Sequence, residues 1–220
     1  MTNLQNVVLW FHEEVDEIEL HARSPRHERL THVENAPCNY LPMEDGCIVS
    51  LWDAWSRFIR SLILSSATSK AIGLSGVEYF PRTPRSGPEA IAHLRANARG
   101  GGYSMAPGSQ GEPKWYLPGD VRAICEMLDL ENSSIIGDAV VSNVNTDSGY
   151  LIANPIASIQ QVRNYVAHKS VYNLDRVRRR FQAGPSCTIS DIIWSRTPGG
   201  SDYFGDWVDA LKGISESAAL

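Results

Sequence analysis

The sequence predicts a mainly α-helical protein with a Gly/Pro-rich loop insertion. Three observations carry this. Apolar residues recur at alternating spacings of three and four over long windows, which is the period of a helix face. An Asn154-Pro155 pair gives a helix start late in the chain, with proline at the first helical position. Gly and Pro gather in residues 73–118, including Pro81, Pro84, Pro88, Gly100 to Gly102, Pro107, Pro113 and Pro118. That concentration reads as a long insertion between core helices.

The first helix is expected over residues 3–23. Leu4, Val8, Phe11, Val15, Ile18 and Ala22 share one face, while Glu13, Glu14, Asp16, Glu17 and Glu19 make the opposite face acidic and solvated. Residues 24–46, with Pro25, Pro37, Pro42 and Gly46, read as a connection holding at most one helical turn. The second helix, Cys47 to Ala67, has a wide stripe of Leu51, Trp52, Trp55, Phe58, Ile59, Leu62 and Ile63. Aromatic residues on such a stripe belong to the core by default. A short helix from Pro88 to Ala98 interrupts the insertion. The triple glycine lacks the Lys-Ser/Thr of a phosphate loop and reads as a flexible loop.

Residues 119–129 form a helix with Asp120 as cap and Val121, Ile124, Cys125 and Leu128 on one face. Residues 132–141 suit a short helix or a strand. A turn-rich segment, Asn143 to Gly149, precedes the helix that starts at Pro155 and runs to about Ser170. A basic helix, Leu174 to Phe181, continues or follows it, and Gly184-Pro185 closes that unit. A tail helix, Asp206 to Ile214, ends the fold. The 220 residues suit a single domain with an insertion at 73–118.

Composition narrows the function. Hydrophobic residues are 43% and charged residues 20%, as in an ordinary globular protein, and the net charge of -5 excludes a generally basic nucleic-acid coat. No apolar run approaches the roughly 20 residues of a membrane span. The acidic first helix lacks a basic leader region, so no secretory signal and no membrane partner is expected. Cys38, Cys47, Cys125 and Cys187 have no CxxC spacing and read as free thiols of a cytoplasmic protein. His12, His21, His27 and His32 with Glu28 follow no zinc pattern, so neither a metal nor another cofactor is expected. Cys125 lies on an apolar stripe and reads as core rather than nucleophile.

The candidate centre lies on the 155–170 helix. Ile156, Ile159, Val162 and Val166 form its buried stripe, and Asn164, His168 and Gln161 share another face. Arg163 borders the apolar stripe. At about 100° per residue, Arg163 and His168 point about 140° apart. One helix therefore aims them poorly at one small substrate, whereas two copies related by a two-fold axis could bring both into one cleft.

Arg163-Asn164-Tyr165-Val166-Ala167-His168 resembles the Arg-x4-His motif of the HEPN superfamily, including the polar residue after the arginine. The helical setting is similar too, over residues 3–67 and 119–181, though not over the 73–118 insertion. This HEPN resemblance implies an antiparallel bundle and metal-independent endoribonuclease activity as a toxin or phage-defence effector. It also implies a composite site at a homodimer interface. A non-catalytic HEPN-like module binding RNA or protein is the alternative. Expected partners are an RNA substrate, a second copy, and an antitoxin or defence-system protein.

The chemistry suits the residues. RNA cleavage without metal needs a base for the 2′-hydroxyl, an acid for the leaving 5′-oxygen and a cation for charge on the phosphoryl oxygens. Histidine can supply base or acid near neutrality, a role for His168. Arginine offers a planar, permanently charged donor fork, a role for Arg163. Asn164 can hold the imidazole or a phosphate oxygen. Lys169, Arg176, Arg178, Arg179 and Arg180 form a local basic segment against Asp175 that could steer RNA, with Tyr165 and Tyr172 available for base stacking. Some HEPN toxins carry a tyrosine two residues after the histidine, where a nucleotidyltransferase antitoxin modifies it. Here Ser170 stands there, which puts such a partner in doubt.

Overall fold

The computed structural model describes residues 2–32, 42–106, 111–145 and 150–220, and for 25–32 and 42–43 the backbone alone. The described chain is mainly helical. In order it runs β1 (Thr2–Asn3), α1 (Leu4–His32), α2 (Pro42–Thr68), β2 (Ala71–Ile72), β3 (Glu78–Tyr79), α3 (Gly87–Asn97), α4 (Pro118–Met127) and α5 (Ser133–Val141). It continues with β4 (Val144–Asn145), β5 (Leu151–Ile152), α6 (Pro155–His168), α7 (Val171–Arg180), α8 (Ile189–Ile193) and α9 (Tyr203–Ala218).

Several boundaries differ from expectation. Helix α1 extends past Pro25 to His32, where a connection is expected. Proline costs the helix one donor and crowds the preceding turn, yet its φ near −65° is itself helical, so the chain need not leave the α region there. Helix α2 begins at Pro42, five residues before the expected start. A first-position proline gives up only an N–H that would lack an intrahelical partner anyway, and Glu44 and Asp45 suit the positive end of the helix dipole. Residues 133–141, open between helix and strand in the sequence, are helical. Cys38 lies outside the described residues, as do the side chains of His27, Glu28 and His32.

The chain divides into two compact units. The first holds residues 1–11, 55–142 and 212–220. Phe11 stacks on Phe58 with ring centres 4.6 Å apart and meets Trp55 edge-on at 6.2 Å. Strand β2 pairs in parallel with β1 and antiparallel with β3. Much of the 73–118 stretch is built into this unit. Leu94, Tyr103 and Trp115 are buried, and the Tyr103 hydroxyl donates to the Leu94 carbonyl at 2.6 Å. Arg60 of α2 grips Glu112 with two hydrogen bonds of 2.8 Å, and the Trp115 indole donates to the same carboxylate at 2.9 Å. Asp120 does not cap α4. Leu117 occupies the cap position, and the Asp120 carboxylate accepts the Ser104 N–H at 2.7 Å. Gly73 leaves room for the backbone of Ala219 and Leu220, since a Cβ there would lie 2.1 Å from the Leu220 carbonyl oxygen.

The second unit holds residues 12–54 and 143–211. Strands β4 and β5 form a short antiparallel ladder just before α6. Phe181 packs edge-on against Tyr203 and Trp207, with ring centres 4.9 and 5.9 Å away. Trp194 stacks on Phe204 at 5.3 Å, receives Arg23 over its ring and donates its indole N–H to buried Glu44 at 3.1 Å. Arg23 also bonds Glu19 and Asp202, which links α1 to the turn before α9.

Candidate functional site

Every candidate residue falls within the second unit, on α6 and α7 or at the joint between them. Helix α6 starts as its sequence signal requires. Asn154 takes the left-handed conformation at φ 47°, and its side-chain oxygen accepts the Ala157 N–H at 3.1 Å. Pro155 stands at the first turn. Ile156, Ile159, Val162 and Val166 are buried as the stripe requires. The helix stops at His168 because Lys169 turns left-handed at φ 46°, and Ser170 then caps α7 by accepting the Asn173 N–H at 3.2 Å. Thus α6 and α7 are separate helices joined by two residues, Lys169 and Ser170.

On α6, His168 is exposed at the last helical position. Arg163 is half-buried, and its Nε is buried with no hydrogen-bond partner. The Oε1 of Gln161 is likewise buried and unpartnered. Asn164 is half-buried, and its backbone oxygen receives the Asn173 side-chain amide at 3.4 Å across the joint. Arg163 and His168 occupy different faces of one continuous helix, so the chain alone does not bring them together.

The basic segment is sorted into two sets. Arg178 sends Nε and Nη2 to the Cys187 carbonyl at 3.0 and 2.8 Å. Arg180 donates to the Ser158 hydroxyl at 2.7 Å and to the Ala153 and Asn154 carbonyls at 3.2 and 3.0 Å. Burial strips water from that guanidinium and lowers its pKa below the ordinary arginine value. Lys169 pairs with Asp45 and lies 5.3 Å from the Tyr165 ring centre. Arg176 and Arg179 remain exposed, and Arg176 lies 5.8 Å from the Tyr172 ring centre.

Asp45, the partner of Lys169, stands in a segment read from sequence as a connection, so nothing there marked it as part of the site. Ser158 is a polar residue on the buried side of α6, and such a residue demands a donor or acceptor from another element. Read for that demand, it could have pointed to Arg180.

Elsewhere, burial pushes the Cys125 thiol well above its usual range, in keeping with a core side chain. Cys47, Cys125 and Cys187 form no disulfide. Among the described residues no group of three or more His, Cys, Asp and Glu side chains is arranged to hold a metal ion, and no helix is long and apolar enough to cross a membrane. Comparison of the chain with protein-family models, with curated proteins and with solved structures found no match.

Proposed function

We propose that the protein is a metal-independent endoribonuclease of the HEPN type, acting in the cytoplasm as a homodimer and serving as a toxin or defence effector. The observation that carries this reading is the arrangement on α6. His168 is solvent-exposed at the helix end, with Asn164 one turn before it and Arg163 at the border of the buried stripe. Arg163 is half-buried with its Nε enclosed, so a phosphate would be met by the part of the guanidinium that stays accessible once a second α6 closes the cleft. In that cleft His168 takes the 2′-hydroxyl proton, the 2′-oxygen attacks the adjacent phosphorus, and the bond from phosphorus to the 5′-oxygen breaks as that oxygen takes a proton from water. Arg163 balances the charge on the phosphoryl oxygens.

The alternative, a non-catalytic module that binds RNA or protein, is favoured by one observation. Arg163 is half-buried, so it also suits a packing role at the edge of the core. One experiment separates the two. Wild-type protein in EDTA should cut RNA to 2′,3′-cyclic phosphate ends, and His168→Ala and Arg163→Ala should each lose that activity while keeping the helical spectrum. Mixing the two inactive variants should restore part of the cleavage, because a mixed dimer retains one histidine and one arginine. Undiminished cleavage by His168→Ala would remove this residue from the mechanism.

A further inference from the structure

Five cations in and beside α7 look equivalent in sequence, but the fold uses them differently. Arg178 and Arg180 are committed to backbone and hydroxyl oxygens, and Lys169 to Asp45. Arg176 and Arg179 are left exposed, and with Tyr172 they occupy positions i, i+4 and i+7 of one helix face. That stripe spans about 10 Å along the helix axis. Asp175, the acidic residue within α7, lies 3.9 Å from Arg178 and stands one turn before Arg179, so the stripe carries two arginines with a single carboxylate on its flank. Tyr172 is 67% exposed although α7 offers buried positions to apolar residues such as Val177. Its ring is held from one side by the Arg176 guanidinium, 5.8 Å from the ring centre.

We propose that the Tyr172–Arg176–Arg179 stripe of α7 is a binding platform for an unpaired nucleic-acid strand, with one base stacked on Tyr172 and the two arginines on adjacent phosphates. The chemistry selects strandedness rather than sugar. An aromatic ring stacks on any unpaired base, whereas a duplex keeps its bases paired and stacked on one another. The arginines read phosphate, which RNA and DNA share. No group on the stripe is placed to require a 2′-hydroxyl. The proposal rests on the nuclease reading only in taking RNA as the natural polymer.

Binding measured by fluorescence anisotropy tests this without cleavage. The full chain is titrated with labelled oligothymidylate, which has no 2′-hydroxyl to attack, and the His168→Ala protein with labelled oligouridylate. Both strands should bind comparably, and a duplex of matched length should bind more weakly. Tyr172→Ala should weaken both strands about tenfold, and Tyr172→Phe should restore the affinity. Arg176→Ala and Arg179→Ala should each lower the slope of log affinity against log salt by about 0.7. Arg99→Ala, which removes an exposed charge from the other unit, should leave the slope unchanged. Equal affinity for the duplex, or binding indifferent to Tyr172→Ala, overturns the platform whether or not RNA is cut. Tyr172-dependent binding without any RNA cleavage would sink the nuclease reading and leave the platform standing.

Discussion

At Arg180 a guanidinium that would ordinarily face water is turned onto the start of α6, where it meets the Ser158 hydroxyl and two backbone carbonyls. Truncating it leaves part-buried acceptors without donors. Arg180→Ala should therefore destabilise the protein by about 1–3 kcal/mol in denaturant titration. It should change the salt dependence of RNA binding far less than Arg176→Ala does. This residue also marks a limit of sequence reading. Arg176, Arg178, Arg179 and Arg180 differ by a few positions on one helix, and their different uses depend on oxygens up to 27 residues away. Composition and spacing carry no record of those partners.

Element boundaries depend on local chemistry to different degrees. The start of α6 was legible because Asn154 and Pro155 act within one turn: the cap oxygen meets the Ala157 N–H and the proline presets φ. Asn154 is also left-handed, a conformation asparagine tolerates better than alanine. Asn154→Ala should cost about 1 kcal/mol or more in thermal unfolding, and Asn154→Gly less, because glycine keeps the left-handed backbone while losing the cap. The end of α1 was not legible. Pro25 signals a boundary in isolation, but whether a helix continues through proline depends on the rest of its packing and not on the ring alone. The buried stripes of α1, α2, α4 and α6 were read correctly throughout, since each rests on helical periodicity and little else.

For the whole molecule, acid stability has an identifiable contributor. The Arg60 hydrogen bonds hold the Glu112 carboxyl below its ordinary pKa, so between the folded and unfolded values the folded chain binds fewer protons. The resulting stability is fully present above the unfolded value and is lost as pH falls through the folded one. Glu112→Gln should thus lower stability near neutrality and flatten its decline between about pH 5 and pH 3. Denaturant midpoints measured across that range would check it, and an unchanged slope would show that Glu112 titrates alike in both states. The same contact bears on the 73–118 stretch. Its Gly and Pro content signals irregular backbone, and that is correct. Its side chains nonetheless enter the core of the first unit, through Leu94, Tyr103 and Trp115, and Arg60 ties it to α2.

By itself the sequence determined that the chain is mainly helical, which faces of the principal helices are apolar, and where α6 begins. It also supplied Arg163, Asn164 and His168 as the set on which the proposed site rests. These features follow from interactions within a few residues, where period, cap and propensity act directly. Only the tertiary structure decided that α6 and α7 break at Lys169 and that His168 is exposed while Arg163 is half-buried. It also decided which arginines face solvent and which are spent on carbonyls. A charge has no preferred partner until folding brings an oxygen within reach, so the division of the basic segment is a property of the packed chain.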